Sequence, residues 1–149
     1  MKKKSLVVSL DFDGTLVRTD KYPVFDPTPL PGCLETLRWL KKELGAKFIL
    51  LTQRDHSHTY NAVLGKAVWK KPEDPRVSVL QEAIDWCETQ GIELWGVNEN
   101  PGQSGWSVSR KVYSDIIIDD RCAGIDLTSD GHVDWKALGI KLRKQYGKQ

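Results

Sequence analysis

The sequence predicts an α/β fold of the doubly wound kind, and three observations carry that expectation. Four short apolar runs, residues 6–10, 48–51, 92–97 and 116–118, are continuous rather than alternating, as in parallel strands covered on both faces. Helical apolar periodicity fills the stretches between them, and such alternation builds parallel sheets. Two of the runs end in paired acids, Asp11 with Asp13 and Asp119 with Asp120, at the strand ends where such folds bind ligands.

Taken in order, the first strand covers residues 6–10 and stops at Asp11. Pro31-Gly32 opens a helix with Leu34, Leu37, Leu40 and Leu44 on one face, and Gly45 ends it. The second strand is 48–51. A second helix is expected from Asp74 as N-cap and Pro75 as first helical residue, carrying Val77, Leu80, Ile84 and Cys87 up to Gly91. The strands at 92–97 and 116–118 follow, and a third helix runs from Trp135 towards Tyr146 behind Asp134. No repeat, low-complexity tract or linker divides residues 1–149, which read as one domain. Two connections exceed what a plain crossover needs: 17–30, with Pro23, Pro27 and Pro29, and 53–73. Both leave carboxyl ends of strands, so both are expected to be substrate loops.

Composition narrows the function classes. A chain of 149 residues that is 40% apolar and 28% charged suits one soluble core. The net charge of +2 does not argue for nucleic acid or acidic membrane as partner. The lysine-rich start precedes an apolar run too short for a signal peptide, and no run is long enough to span a membrane. Cys33, Cys87 and Cys122 are odd in number and lie far apart, which fits neither a disulfide framework nor a zinc site and points to the cytoplasm. The six tryptophans are expected mostly as packing.

Chemistry concentrates at the acids. Asp11 and Asp13, two apart on extended chain, point the same way. Like charges at the mouth of a buried strand repel, and a bound cation resolves the conflict. Gly14 then lets the backbone turn. If the strand 116–118 is a neighbour, Asp119 and Asp120 join them at one sheet edge, an all-oxygen set that suits Mg²⁺.

These residues resemble the motifs of the haloacid dehalogenase (HAD) superfamily of phosphohydrolases. Asp11-Phe12-Asp13-Gly14-Thr15 resembles its first motif, Leu50-Leu51-Thr52 the second, Lys111 the third-motif lysine and Ile118-Asp119-Asp120 the fourth. Tyr22-Pro23, Thr52-Gln53-Arg54, 97–100 and Asp119-Asp120-Arg121 are more narrowly similar to small capless bacterial and phage members. The resemblance implies a three-layered, Rossmann-like parallel sheet of about five strands without a cap domain.

It also implies roles. Asp11 is the nucleophile that forms an aspartyl-phosphate, and Asp13 is the general acid and base. Thr52 and Lys111 steady the transferring phosphoryl group, with Arg110 a competitor for the lysine's role. Mg²⁺ is held by Asp11, the Asp13 carbonyl and Asp120, with Asp119 ligating directly or through water. Gly14, Arg54 and Arg121 are expected near substrate, Arg121 also as a partner of Asp119 or Asp120. His56 and His58, without a third ligand, do not indicate zinc. Cys122 reads as a small buried residue.

The expected activity is hydrolysis of a small phosphorylated metabolite or nucleotide. The first alternative is a nucleic-acid 3′-end phosphatase, since Lys66 to Lys71 with Trp69 could stack a base and meet phosphates. A second, of another class, is a non-catalytic binding module on the same scaffold. Oligomeric state is not readable from the sequence.

Overall fold

In the strand Val7–Leu10 (β1) every residue is buried, so neither face can be polar and solvated. Its neighbours are Lys47–Leu50 (β2) on one side and Ile116–Ile118 (β6) on the other, both parallel to it. Leu94–Val97 (β5) pairs with β2 and completes a four-stranded parallel sheet, β5-β2-β1-β6. The computed structural model describes residues 5–19 and 27–147. The fold is therefore α/β, with four strands in the main sheet among the described residues rather than about five.

Alternation along the strands sorts side chains onto two faces. Val8, Leu10, Phe48, Leu50 and Ile118 face one core, and the buried apolar side chains of all three helices belong to it. Helix Cys33–Leu44 (α1) contributes Cys33, Leu37 and Leu40. Burial of each such leucine contributes about 1.5–3 kcal/mol. Helix Trp135–Tyr146 (α3) packs beside α1 and is capped by Asp134, whose carboxylate accepts from the Ala137 N–H at 3.1 Å.

Among the described residues no helix contributes to the opposite face, with Ser9, Ile49 and Ile117. The 98–115 crossover from β5 to β6 lies over it: Ser114 Oγ meets Ser9 Oγ, and Ile117 lines a cavity of about 430 Å³ with Trp106 and Tyr113. Right-handed connections explain the asymmetry. The chain steps from β1 to β2 to β5 in one direction, which puts α1 and the second helix on one side. Its return to β6 reverses direction and passes on the other. The third layer is thus irregular chain.

Two elements differ from expectation. The second helix is Val79–Thr89 (α2), capped by Ser78, which accepts from Gln81 N–H at 3.0 Å. The Asp74 carboxylate is instead taken by Arg76, whose backbone N–H, Nε and Nη2 all donate to it within 3.1 Å. A carboxylate so occupied does not cap a helix. Residues 53–73, expected as an open loop, contain an antiparallel hairpin, His58–Asn61 (β3) with Lys66–Trp69 (β4). The Asn61 side chain accepts from the Val63 and Leu64 N–H groups, and Gly65 takes φ +64° to close the turn. Half of the segment 17–30, residues 20–26, lies outside the described residues.

Among the described residues no helix is long and apolar enough to cross a membrane. Trp86 and Trp135 are packed as expected, but Trp69 and Trp106 are 75% and 65% exposed. Cys33 and Cys87 are buried free thiols, whereas Cys122 is only half-buried.

Candidate active site

The first acid is delivered by β1 and tied at once to β6. Asp11 N–H donates to the Ile118 carbonyl at 3.0 Å, continuing the ladder one residue past the strand. The chain then folds over Phe12, whose carbonyl accepts from the N–H groups of Thr15, Leu16 and Val17. Gly14 is required here twice over. Its φ is +78°, and a Cβ would lie 2.6 Å from Asp120 Oδ2. The turn has to press backbone against the second acidic pair, and only glycine permits both the conformation and the approach.

Asp11, Asp119 and Asp120 converge. Each offers a carboxylate oxygen, and these atoms lie within 4.8 Å of one another. Thr15, fully buried, holds two of the three. Its hydroxyl donates to Asp11 Oδ2 at 3.0 Å and accepts from the Asp120 N–H at 3.0 Å. Burial, then the Asp119 charge, pushes the Asp11 carboxyl up to about 7. Burial and a hydrogen bond with Asp119 raise Asp120 as well. Like charges so close, in part removed from water, are the condition that a bound hard cation relieves. The donors are all oxygen, so the three carboxylates fit a metal ion of that preference.

Asp13 stands apart from this cluster. Both its oxygens accept from Arg54, Oδ2 from Nε and Oδ1 from Nη2, each at 2.8 Å. Arg54 Nη1 donates to the Val79 carbonyl at 3.0 Å and to Glu82 Oε1 at 3.1 Å. The guanidinium also lies 4.7 Å from the Phe12 ring centroid. Its hydrogen bonds with Asp13 and then Glu82 raise the Arg54 pKa against the opposing effect of burial. Arg54, expected beside substrate, is therefore engaged by Asp13 and α2.

Thr52 sits just past β2. Its N–H donates to Asn98 Oδ1 at 2.8 Å, and its hydroxyl accepts from the Arg54 N–H at 3.1 Å. Lys111 is exposed in the crossover, lines the 430 Å³ cavity, and accepts through its carbonyl from Gln103 Nε2 at 2.9 Å. Among the described residues its ammonium makes no ion pair. Arg121 is exposed; its backbone N–H donates to Asp119 Oδ1 at 2.9 Å, and its charge partly offsets the rise of the Asp120 carboxyl. His56 bonds Ser78 Oγ at 2.9 Å and His58 bonds Asp55 at 2.8 Å, so the two histidines are divided between different partners.

Three further residues shape the site. Thr15 was legible as part of the first motif, but its bridge to Asp120 spans 105 positions. Glu82 carries no local signal, because it meets Arg54 only once α2 docks. Asn98 takes φ +53°, and its N–H donates to the Leu50 carbonyl at 2.8 Å while its side chain holds Thr52. Asparagine is among the few side chains at ease in that conformation, which is the one clue the sequence offered.

Comparison with known proteins is sparse. No protein-family model matches the chain, and no curated protein matches it. A solved structure described as a conserved protein from Bacteroides thetaiotaomicron is similar, at 27% identity and a TM-score of 0.62, over 98% of this chain and 94% of that one.

Proposed function

We propose that the protein is a Mg²⁺-dependent phosphomonoester hydrolase with a HAD-like doubly wound core, acting through an aspartyl-phosphate on Asp11. The observation that carries this reading is the convergence of Asp11, Asp119 and Asp120 within 4.8 Å, at the carboxyl ends of the neighbouring strands β1 and β6. Asp11 and Asp120 would hold the ion, with Asp119 beside them. When bound, Mg²⁺ supplies positive charge that orients the phosphate and offsets its repulsion from the nucleophile.

The remaining chemistry belongs to the chain. An Asp11 carboxylate oxygen attacks phosphorus, and the bond to the leaving oxygen breaks. Asp13, protonated and freed of one of its Arg54 hydrogen bonds for this step, would give that oxygen its proton. Water then attacks the phosphoryl group and passes a proton to Asp13, so that phosphate leaves and Asp11 is regenerated. Thr15 orients Asp11 from behind. Arg54 acts as a positioning residue for Asp13 rather than as a substrate ligand. Thr52, steadied by Asn98, is placed at the end of β2 for a hydrogen bond to a phosphoryl oxygen.

The test is direct. With Mg²⁺ and a phosphate ester, acid-quenched protein should carry one covalent phosphoryl group, seen by intact mass. The adduct and turnover should both be lost in Asp11→Asn, and turnover should be lost with EDTA. Turnover without an adduct in wild type, or activity of Asp11→Asn within about tenfold of wild type, refutes the mechanism, since covalent catalysis is worth several kcal/mol of barrier.

A further inference from the structure

The hairpin β3–β4 turns one face inward and the other to solvent. Thr59, opposite Val68, is buried and donates to the Val77 carbonyl at 2.7 Å. Strand alternation then puts His58 and Trp69, which are directly paired in register, on the outer face. Their rings are stacked, with centroids 4.3 Å apart and planes tilted by 33°. The Asp55 carboxylate pins the inner ring, both oxygens lying within 3.0 Å of His58 Nδ1. The outer ring is left largely uncovered, because Trp69 is 75% exposed.

This stack is anchored to the candidate active site. Arg54 is bound to Asp13, the Asp55 carbonyl accepts from Leu80 N–H at 3.1 Å, and His56 bonds the α2 cap Ser78. From Arg54 to His58 the backbone can span at most about 14 Å. Lys66 and Lys71, exposed at the start of β4 and two residues past its end, put two positive charges on the hairpin that carries the indole. A pinned aromatic pair with an open face and flanking cations is what single-stranded nucleic-acid sites use, because every base has a π-face and every linkage an anionic phosphate.

We propose that the His58–Trp69 stack is a platform for a nucleobase, and that the substrate is a phosphorylated nucleotide or the phosphorylated end of a single strand. The proposal rests on the phosphatase reading for its catalytic half, but binding to the platform does not. Two measurements separate them. In the first, kcat/KM is compared for glycerol phosphate, thymidine 3′-monophosphate and 3′-phosphorylated oligothymidylate, in wild type, Trp69→Ala and Trp69→Phe. Loss of one stacked base should lower kcat/KM for the base-bearing esters roughly tenfold to a hundredfold in Trp69→Ala. Trp69→Phe should recover most of it, and glycerol phosphate should be unaffected. A fall confined to the oligonucleotide assigns the platform to a strand end, and a fall on both base-bearing esters to the nucleotide itself. Equal damage on glycerol phosphate, or no change on either base-bearing ester, overturns the proposal.

The second measurement needs no turnover. Fluorescence anisotropy of labelled, unphosphorylated oligothymidylate should report weaker binding to Trp69→Ala and, for Lys66→Ala with Lys71→Ala, a shallower dependence on salt. If wild type hydrolyses no ester but binds the oligonucleotide through Trp69, the phosphatase reading fails and the platform stands. No Trp69-dependent binding, with hydrolysis of glycerol phosphate intact, has the opposite meaning.

Discussion

Replacing Arg54 tests the feature of the site on which the structure departs most from the pattern of residues alone. The side chain is 15% exposed, and its two acidic partners, Asp13 and Glu82, are 41% and 27% exposed. Removing one partner of a buried pair costs about 3–5 kcal/mol, and an exposed pair is worth about 1 kcal/mol or less. Arg54 lies nearer the first limit but its carboxylates are partly wet, so Arg54→Ala should destabilise the protein by about 2–3 kcal/mol. For a chain of this size that is a fall in Tm of roughly 5–10 °C. Urea unfolding with an unchanged m-value would report it cleanly. Asp13 would also lose its orientation, so kcat should fall by up to about a hundredfold on every ester, small ones included. Arg54→Lys keeps the charge but not the planar fork, and should recover only part of either effect. A stability change below about 0.5 kcal/mol refutes the clamp. A kinetic loss seen only with large substrates would make Arg54 a substrate ligand instead.

Other outcomes follow from the same geometry. Thr15→Val keeps the shape but strands the Asp120 N–H and removes a bond to Asp11, so it should cost about 2–4 kcal/mol in chemical denaturation and weaken divalent-cation binding in calorimetry. Gly14→Ala should impair the same cation binding, because its methyl would crowd Asp120 Oδ2 at 2.6 Å and force it aside; affinity equal to wild type would contradict the packing. In EDTA the native state keeps a proton on Asp11 up to about 7, while the unfolded chain releases it near 3.8. The contribution of this group to stability is therefore full below pH 4 and declines as pH rises towards 7. Asp11→Asn should flatten that decline in urea midpoints measured from pH 4.5 to 8, and an unchanged slope would assign it to other groups. Asp120→Ala should raise the Mg²⁺ concentration needed for activity, whereas rescue by zinc but not by magnesium would overturn the choice of ion.

Local physics made much of this protein legible from the chain. The β1, β2 and β6 runs are apolar because buried parallel strands have no wet face, and their positions in the sequence nearly match the structure. Helices α1 and α3 carry their stop or cap signals within a few residues, at Gly45 and Asp134. The acids at 11, 13, 119 and 120 stood out because each pair ends an apolar run. The hairpin at 58–69 was also local in origin, with an Asn61 and Gly65 turn between β-prone residues, but its length read as an open loop. Where the information was not local, only the folded chain decided. The start of α2 depended on a competition for the Asp74 carboxylate, which Arg76 won. The adjacency of β1 and β6 joins residues more than a hundred positions apart, and with it came the clustering of Asp11, Asp119 and Asp120. The separation of Asp13 from that cluster was set by Arg54, 41 positions away, which Glu82 braces once α2 packs. Residue type and spacing determine which groups are present and which elements form. Which charge neutralises which is a three-dimensional choice, because Coulomb and hydrogen-bond energies depend on distances that the order of residues does not contain.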